Sequence, residues 1–481
     1  MSSEKSKYKA TIGLEVHAEL ATKTKMFCRS LNDPDEKRPN IHICPICMAH
    51  PGTLPMINKE AVKYVLLFGK AVKGTLATHT YFDRKNYFYP DIPKGYQISQ
   101  YQFPLVSGGI LADIALTRVH LEEDTARSIH TGDKSFVDYN RAGVPLMELV
   151  TEPVIHSAEE AEAFARELQL LLRTLGISHA NMEKGEMRVE ANISISTTHE
   201  FGTKVEVKNL NSIRSVSRSI AYELERQEGL LENGEVVVQE TRGFDEATGR
   251  TISQRKKENA QDYRYFPDPD LPALNIKEIP EFTTDVLMKA LPELPSAKRN
   301  RLKDEYGIVD SHVELLVQHP PLADFFESTL GNSREKDFID TTINYLTSDL
   351  ISHIKTEHGE GFFTPPDTLQ PEAFAQLIRM ILAGEISSRG AKDILAIVVT
   401  EGGYPEIIAR ERNLTQVSDA GALESLAVDI ISEFPEVVSE YKAGKESALQ
   451  FLVGQGMKKS KGSAHPTKLK ETLEKLAGKN S

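Results

Sequence analysis

The run Ile12-Gly13-Leu14-Glu15-Val16-His17-Ala18-Glu19-Leu20 decides how the rest of the chain is read. Side chains along a strand alternate between faces, so Ile12, Leu14, Val16, Ala18 and Leu20 point one way and Glu15, His17 and Glu19 the other. One face is core and the other is chemistry. The pattern returns at Arg118-Val119-His120-Leu121-Glu122-Glu123-Asp124, where Arg118, His120, Glu122 and Asp124 share a side, and at Glu186-Met187-Arg188-Val189-Glu190-Ala191-Asn192-Ile193. Any one of these would pass for an ordinary solvated strand face. Three of them, two with a histidine, gather carboxylates that repel by roughly 0.2–1 kcal/mol per opposed pair and call for a cation. Mg²⁺ suits them, since it takes a few carboxylates and completes its shell with water and substrate phosphate. The expectation is a divalent-metal site for phosphoryl transfer.

Working outward, 481 residues exceed one core and imply two to four domains. A net charge of −13 excludes a protein that coats nucleic acid through its overall field, so any RNA contact is regional. No stretch approaches the roughly 20 apolar residues of a membrane span, and the N-terminus has no apolar leader, so a cytoplasmic protein without membrane attachment is expected. Cys28, Cys44 and Cys47 are too few and too clustered for a disulfide framework, which agrees with a reducing compartment.

To about residue 290 strand alternation mixes with amphipathic helices, an α+β texture. One helix opens at Ser157 with Glu160 as a capping box, turns Phe164, Leu168, Leu171, Leu172 and Leu175 inward, and stops at Gly176. Another follows Asn211-Ser212, with Ile213, Val216, Ile220 and Leu224 at helical spacing. Both should back the sheet. Past Leu294-Pro295-Ser296 helical patterns take over, at 296–306, 309–318, 336–356, 371–384 and 387–400. The division drawn is 1–292, a helical domain 293–405, and a small helical tail 406–481. Residues 457–481 hold seven lysines against two glutamates, a local +5. Composition alone leaves this tail either a solvated face or an RNA contact.

Beyond period and charge, six runs together resemble one family: Ile12 to His17; Cys44-Pro45-Ile46-Cys47 followed by Pro51-Gly52-Thr53-Leu54-Pro55; Arg84-Lys85-Asn86-Tyr87-Phe88-Tyr89-Pro90-Asp91; His120 to Asp124; Asn140-Arg141-Ala142-Gly143-Val144-Pro145-Leu146-Met147-Glu148; and Asp262-Tyr263-Arg264-Tyr265-Phe266-Pro267-Asp268-Pro269-Asp270. The family is that of the B subunits of the aspartyl/glutamyl-tRNA amidotransferases, and the resemblance runs along essentially the whole chain. It implies a cradle domain related to the glutamine synthetase fold. It also implies an ATP-dependent reaction on Glu-tRNA(Gln) or Asp-tRNA(Asn), in which the side-chain carboxylate is phosphorylated and then amidated. Ammonia would come through a channel from a separate amidase (glutaminase), the A subunit, with a small C subunit completing a heterotrimer.

The resemblance places catalysis on Glu15, His17, Glu122, Glu123 and Glu148, with Mg²⁺ on Glu15, His17, Glu122 and Glu148 and Glu152 as a further candidate. Alternation sets Glu122 with His120 and Asp124, and leaves Glu123 as a supporting partner or a channel residue. Lys85, Tyr87, Tyr89 and Glu123 suit a channel lining. Arg188, Lys204, Lys208, Arg242, Arg255 and Arg264 suit phosphates of ATP or tRNA, or else ordinary ion pairs to neighbours such as Glu206. Lys458, Lys459 and Lys461 match the family's tRNA-contacting tail.

The departures also count. Many relatives carry four cysteines that would hold a structural zinc. Here Ser30 stands at the second position, leaving Cys28, Cys44 and Cys47, with the site either empty or completed by His42 or another group. Glu190 stands where relatives often have aspartate, and Thr125-Ala126-Arg127 where a glycine often follows the acidic run. The rival reading is a noncatalytic tRNA-binding factor with a vestigial zinc knuckle, which leaves the acidic face unexplained. A related archaeal protein specific for Glu-tRNA(Gln) carries a large insertion for which this chain has no room.

Overall fold

The computed structural model describes residues 7–33, 35–256, 263–354, 362–416, 420–460 and 464–478. The chain divides into two compact units, Met1–Pro295 and Ser296–Ser481.

The first unit is built on a ten-stranded sheet. Across it the strands run Arg250–Lys256, Glu240–Asp245, Val205–Leu210, Met187–Ser196, Lys9–Glu19, Pro145–Thr151, Ile114–Glu123, Val106–Ser107 and Thr75–Leu76, with Ile110–Leu111 paired to Ile114–Glu123 off this path. Neighbours are antiparallel except Val205–Leu210 and Glu240–Asp245, which are parallel. The alternation read from the sequence is the one the fold uses: Ile12, Leu14, Val16, Ala18 and Leu20 are buried in the core. Met187, Val189, Ala191, Ile193, Val205 and Val207 join them, as do Val119, Leu121, Met147 and Leu149.

Two helices cover that apolar face. Ala158–Thr174 is capped by Ser157, whose Oγ accepts from the Glu160 amide at 3.1 Å, while Glu160 reaches back to the His156 amide at 2.8 Å. Phe164, Leu168, Leu171, Leu172 and Leu175 are all buried, and Gly176 ends the helix at φ +66°. Ile213–Glu232, capped by Ser212, packs beside it and over the Met187–Ser196, Val205–Leu210 and Arg250–Lys256 strands. A third helix, Lys59–Ala71, is capped by Asn58 and carries Gly69 against the short Val106–Ser107 strand. A Cβ on Gly69 would lie 2.5 Å from Val106 Cγ2 and 2.7 Å from Leu76 Cδ2. Gly69→Ala should therefore lower the denaturant midpoint by an overpacking cost of about 1–3 kcal/mol. An unchanged midpoint would show that the helix can shift freely there.

The second unit is helical among its described residues. Pro295–Tyr306, Asp310–Gln318, Pro371–Leu382 and Ser388–Glu401 fall where helical spacing placed them. Pro320–Leu330 was not anticipated; prolines at its start and Gly331 at its end are the signals that would have found it. The segment expected as one helix over 336–356 is Lys336–Asn344, a widened π-turn stretch Tyr345–Leu350, and Ile351–His353; residues 355 and 356 lie outside the described residues. The last four helices, Ala420–Glu433, Pro435–Lys442, Glu446–Lys459 and Pro466–Ala477, close their own core around Ile430, Leu452, Leu469 and Leu473. The segments drawn as 293–405 and 406–481 thus belong to one compact unit, the latter with a separate apolar cluster. No helix among the described residues is long and apolar enough to cross a membrane.

Candidate active site

Register brings the polar face into rows. Arg188, His17, Glu148 and His120 stand opposite one another on four adjacent strands, and Glu190, Glu15, Val150 and Arg118 form the next row. Glu122 is paired with Leu146, which faces Glu19. At the centre His17 Nε2 lies 3.4 Å from Glu122 Oε1, 3.4 Å from Glu148 Oε2 and 3.9 Å from Glu15 Oε1. His120 Nε2 lies 3.5 Å from Glu148 Oε2, and Ser99 Oγ donates to Glu122 at 3.3 Å.

Electrostatics in this cluster favours a cation. Burial pulls His17 down, but Glu122 and Glu148 overcome it and push the imidazole up to about 10. Burial pushes Glu148 up, yet His120, His17 and Lys85 outweigh it and hold the carboxyl below its ordinary value. Glu15, half-buried and beside Glu148, is pushed up to about 7 by desolvation and by the Glu148 charge. Without a cation the proton on His17 offsets the surrounding carboxylates; a divalent ion would displace that proton and take His17 as the neutral imidazole. Ligand atoms of Glu15, His17 and Glu148 lie within 4.8 Å of one another, and so do those of His120, Glu122 and Glu148. This donor set, dominated by carboxylate oxygen, suits Mg²⁺. His120 joins the predicted four; its place opposite Glu148 is what alternation alone could not give.

Other predicted residues are placed differently. Glu123 turns away from the cluster: it accepts from Lys94 Nζ at 2.5 Å and the Ile98 amide at 2.9 Å. There it lines a cavity of about 180 Å³ with Phe27, Cys28, Cys47, Lys94 and Gly143. Lys85 does reach the cluster's field. Burial would lower its ammonium, but the charges of Glu122 and Glu148 and the neighbouring Tyr265 and Tyr263 hold it above its ordinary value. Its Nζ sits 4.9 Å from the Tyr263 ring, and Tyr87 meets the same ring edge-on at 6.0 Å. Tyr89 does not join them and is 69% exposed. Glu152 accepts from Thr117 Oγ1 at 2.7 Å, apart from the cluster's contacts.

Tyr263 and Tyr265, which the sequence reading quoted within a family run without giving them a role, are neighbours of Lys85. Phe266–Pro267 adds to the Asp83–Asn86 strand, Asn86 Nδ2 donates to the Tyr263 and Arg264 carbonyls, and Arg84 clamps Asp268 at 2.7 Å and Asp270 at 3.0 Å. Arg264 itself is exposed.

Among the basic candidates, Lys208 pairs with Glu190 at 2.7 Å and Glu206 at 3.6 Å, and exposed Lys204 precedes the same strand. Arg188 donates to Asp124 at 3.1 Å beside His17. Arg242 is not brought to this face. It pairs with Val207, which is buried in the core, and so points toward the covering helix, where it meets Glu223 at 3.6 Å and Glu240 at 2.5 Å. The Arg255 side chain and Lys461 lie outside the described residues. Lys458 is exposed, and Lys459 pairs with Glu433 at 3.1 Å and Asp429 at 3.7 Å within its own unit.

Asp124, read as sharing the chemical face, is instead enclosed by guanidinium, with Arg141 Nε at 2.6 Å and Arg188 Nη2 at 3.1 Å. Burial alone would raise its carboxyl from 3.8, but Arg188 and Arg141 hold it down at about 2. Because the folded value is the lower one, the stabilisation is present above about pH 4 and fades as pH falls toward about 2. Asp124→Asn should thus be less stable than wild type at neutral pH, with the gap in denaturant midpoint narrowing over that acid window. A gap constant from about pH 6 to about pH 2 would remove Asp124 from the acid transition.

The three cysteine sulfurs lie within 4.8 Å of one another, which fits three corners of a tetrahedral zinc site. Ser30 Oγ is 4.0 Å from Cys47 Sγ, and the buried Lys25 Nζ is 3.9 Å from it. His42 is not the completing group: its Nε2 sits 3.8 Å from carboxylate oxygens of Asp33 and Glu36.

With this geometry in hand, comparison with known proteins is direct. Residues 10–280 match the GatB/GatE catalytic domain, and residues 324–476 match the GatB domain. A protein of Thermomicrobium roseum, named as the B subunit of an aspartyl/glutamyl-tRNA(Asn/Gln) amidotransferase, is 43% identical over 97% of this chain and 98% of its own length. Proteins of the same name from Picosynechococcus and Oleidesulfovibrio alaskensis are each 40% identical, over 98% of this chain and 99% and 100% of their own lengths. The cradle that carries the acid cluster and the helical segment beyond it are both matched, and the chain belongs to the family of B subunits of the aspartyl/glutamyl-tRNA(Asn/Gln) amidotransferases.

Proposed function

We propose that this chain carries out ATP-dependent transamidation of misacylated Glu-tRNA(Gln) or Asp-tRNA(Asn). The observation that supports it most is the convergence of Glu15, His17, Glu122 and Glu148, with His120, on adjacent strands. A carboxylate is a poor electrophile because oxide cannot leave. Its oxygen therefore attacks the γ-phosphorus of ATP, ADP departs, and the acyl phosphate gains a leaving group. Mg²⁺ held by Glu15, His17, Glu122 and Glu148 would offset the charge of the transferring phosphoryl.

The chain's own residues do the rest. Lys85, whose ammonium lies in the field of Glu122 and Glu148, neutralises the acyl phosphate and the departing phosphate. Lys204, Lys208 and Arg188 lie on the side of the cluster where the Met187–Ser196 and Val205–Leu210 strands continue, and take the nucleotide phosphates. Glu123, at the wall of its cavity beside Lys94, accepts the proton of an arriving ammonium, and Tyr87 shields the approach near Lys85. Ammonia displaces phosphate at the acyl carbon and gives the amide. The amidase partner, a glutaminase, supplies it, and a small third protein completes the heterotrimer. Lys458, Lys459 and Lys461 contact tRNA away from the acceptor end. Cys28, Cys44 and Cys47 would hold a zinc ion that ties down their loops.

The test is reconstitution with the two partner proteins, misacylated tRNA, ATP, Mg²⁺ and either glutamine or ammonium. Amino acid released from the tRNA should be glutamine or asparagine, and only when ATP is present. Binding of both tRNAs without conversion of either would replace this reading by a noncatalytic tRNA-binding factor.

A further inference from the structure

The cluster has two unlike flanks. Toward the Met187–Ser196 and Val205–Leu210 strands lie the cations Arg188, Lys204 and Lys208; toward the opposite side, where Tyr96–Ser99 packs on Ile114–Glu123, the flank is aromatic. There the rings of Tyr101 and Tyr265 stack at 4.5 Å and 12°. Tyr265 meets Tyr263 at 6.1 Å, and Tyr263 carries Lys85 at 4.9 Å, so ring contacts link this stack to the Lys85 ammonium. The Tyr101 amide is fixed by Asp83 Oδ2 at 3.0 Å, and Tyr265 by the strand pairing of Phe266–Pro267 and the Arg84 clamp. Yet Tyr101 remains 61% exposed. Held backbone, one ring face packed and a large part of the ring open describe a preformed stacking surface.

We propose that Tyr101, backed by Tyr265, stacks the terminal purine of the RNA acceptor end. This rests on the function proposed above. Unpaired nucleobases dock on aromatic faces, and the reacting carboxylate hangs from the last ribose, so the base must sit beside the acid cluster and not in it. The cations mark the other flank for the polyphosphate. Nucleotide and RNA thus approach from opposite sides, and the γ-phosphoryl crosses between them.

The chain has no tryptophan, so 2-aminopurine is a clean probe. The full chain is titrated with an acceptor-stem minihelix whose 3′ end is C-C-2-aminopurine, and separately with 2-aminopurine riboside triphosphate. Wild type and Tyr101→Phe should quench the minihelix probe, whereas Tyr101→Ala, with unchanged thermal midpoint, should lose the quench and bind roughly tenfold more weakly. Its KM for aminoacyl-tRNA should rise with kcat retained. Quenching by Tyr101→Ala equal to wild type overturns the assignment, as does loss confined to the triphosphate, which would give the stack to ATP. Failure to assemble with the amidase partner at unchanged minihelix affinity would make it a protein contact and overturns it too. A wild-type complex that quenches the minihelix but never amidates sinks the transamidation reading; one that amidates while Tyr101→Ala is indistinguishable from it sinks only the stack.

Discussion

Glu148→Gln should abolish amidation while leaving tRNA binding intact. Among the described residues Glu148 is the one carboxylate that touches both imidazoles, at 3.4 and 3.5 Å, with Arg118 Nη2 at 3.5 Å, and it is 7% exposed. Glutamine keeps the shape and removes the charge. The change strips the cluster of the group that belongs to both sets of converging ligand atoms. A loss on the order of 10³-fold in kcat is expected, equivalent to about 4 kcal/mol of transition-state stabilisation. The assay uses ammonium as donor, so that a defect in the glutaminase step cannot contribute, and a thermal midpoint checks that the variant is folded. Wild-type turnover in the folded variant would remove Glu148, and the metal assignment with it, from the mechanism. Tyr89→Phe, at an exposed residue, is the contrasting control and should change little.

The faces of the sheet were legible because period two is a local property. Ile12 to Leu20 needed no partner strand to be sorted into core and chemistry, and the capping box at Ser157 and Glu160 marked its helix for the same reason. What depends on chain reversal was not legible. His120 belongs with Glu148 only because Pro145–Thr151 pairs with Ile114–Glu123 in one register. Tyr263 and Tyr265 reach Lys85 because a segment far along the chain adds to the Asp83–Asn86 strand, with Asn86 to Arg264 as one of its links. Ion pairing is likewise invisible to spacing. Asp124 sat on the predicted face, yet two guanidinium groups neutralise it.

Arg242 shows the same limit and gives the second large effect, on stability. A basic residue in a strand next to Lys208 invites a phosphate, but Arg242 pairs with the buried Val207 and so stands on the other face of the sheet. There Nη1 meets Glu240 at 2.5 Å, Nε donates to Thr251 Oγ1 at 2.8 Å and Nη2 to the Thr251 carbonyl at 2.7 Å, while Glu223 beneath is 0% exposed. Arg242→Ala leaves Glu240 and the Thr251 carbonyl short of a partner. Stranding a buried ion outright costs about 3–5 kcal/mol, but Glu223 keeps Arg226 at 2.6 Å and Glu240 keeps Ser253 and, at 3.9 Å, Arg226, so a loss of about 1–3 kcal/mol is expected. The denaturant midpoint should fall accordingly, with tRNA affinity and its salt dependence unchanged below the transition. A phosphate ligand would behave in the opposite way, with stability within about 0.5 kcal/mol and a salt slope reduced by about one. Arg242→Lys separates charge from geometry: an ammonium restores the sign but not the fork that spans Glu240 and Thr251, so only partial recovery is expected.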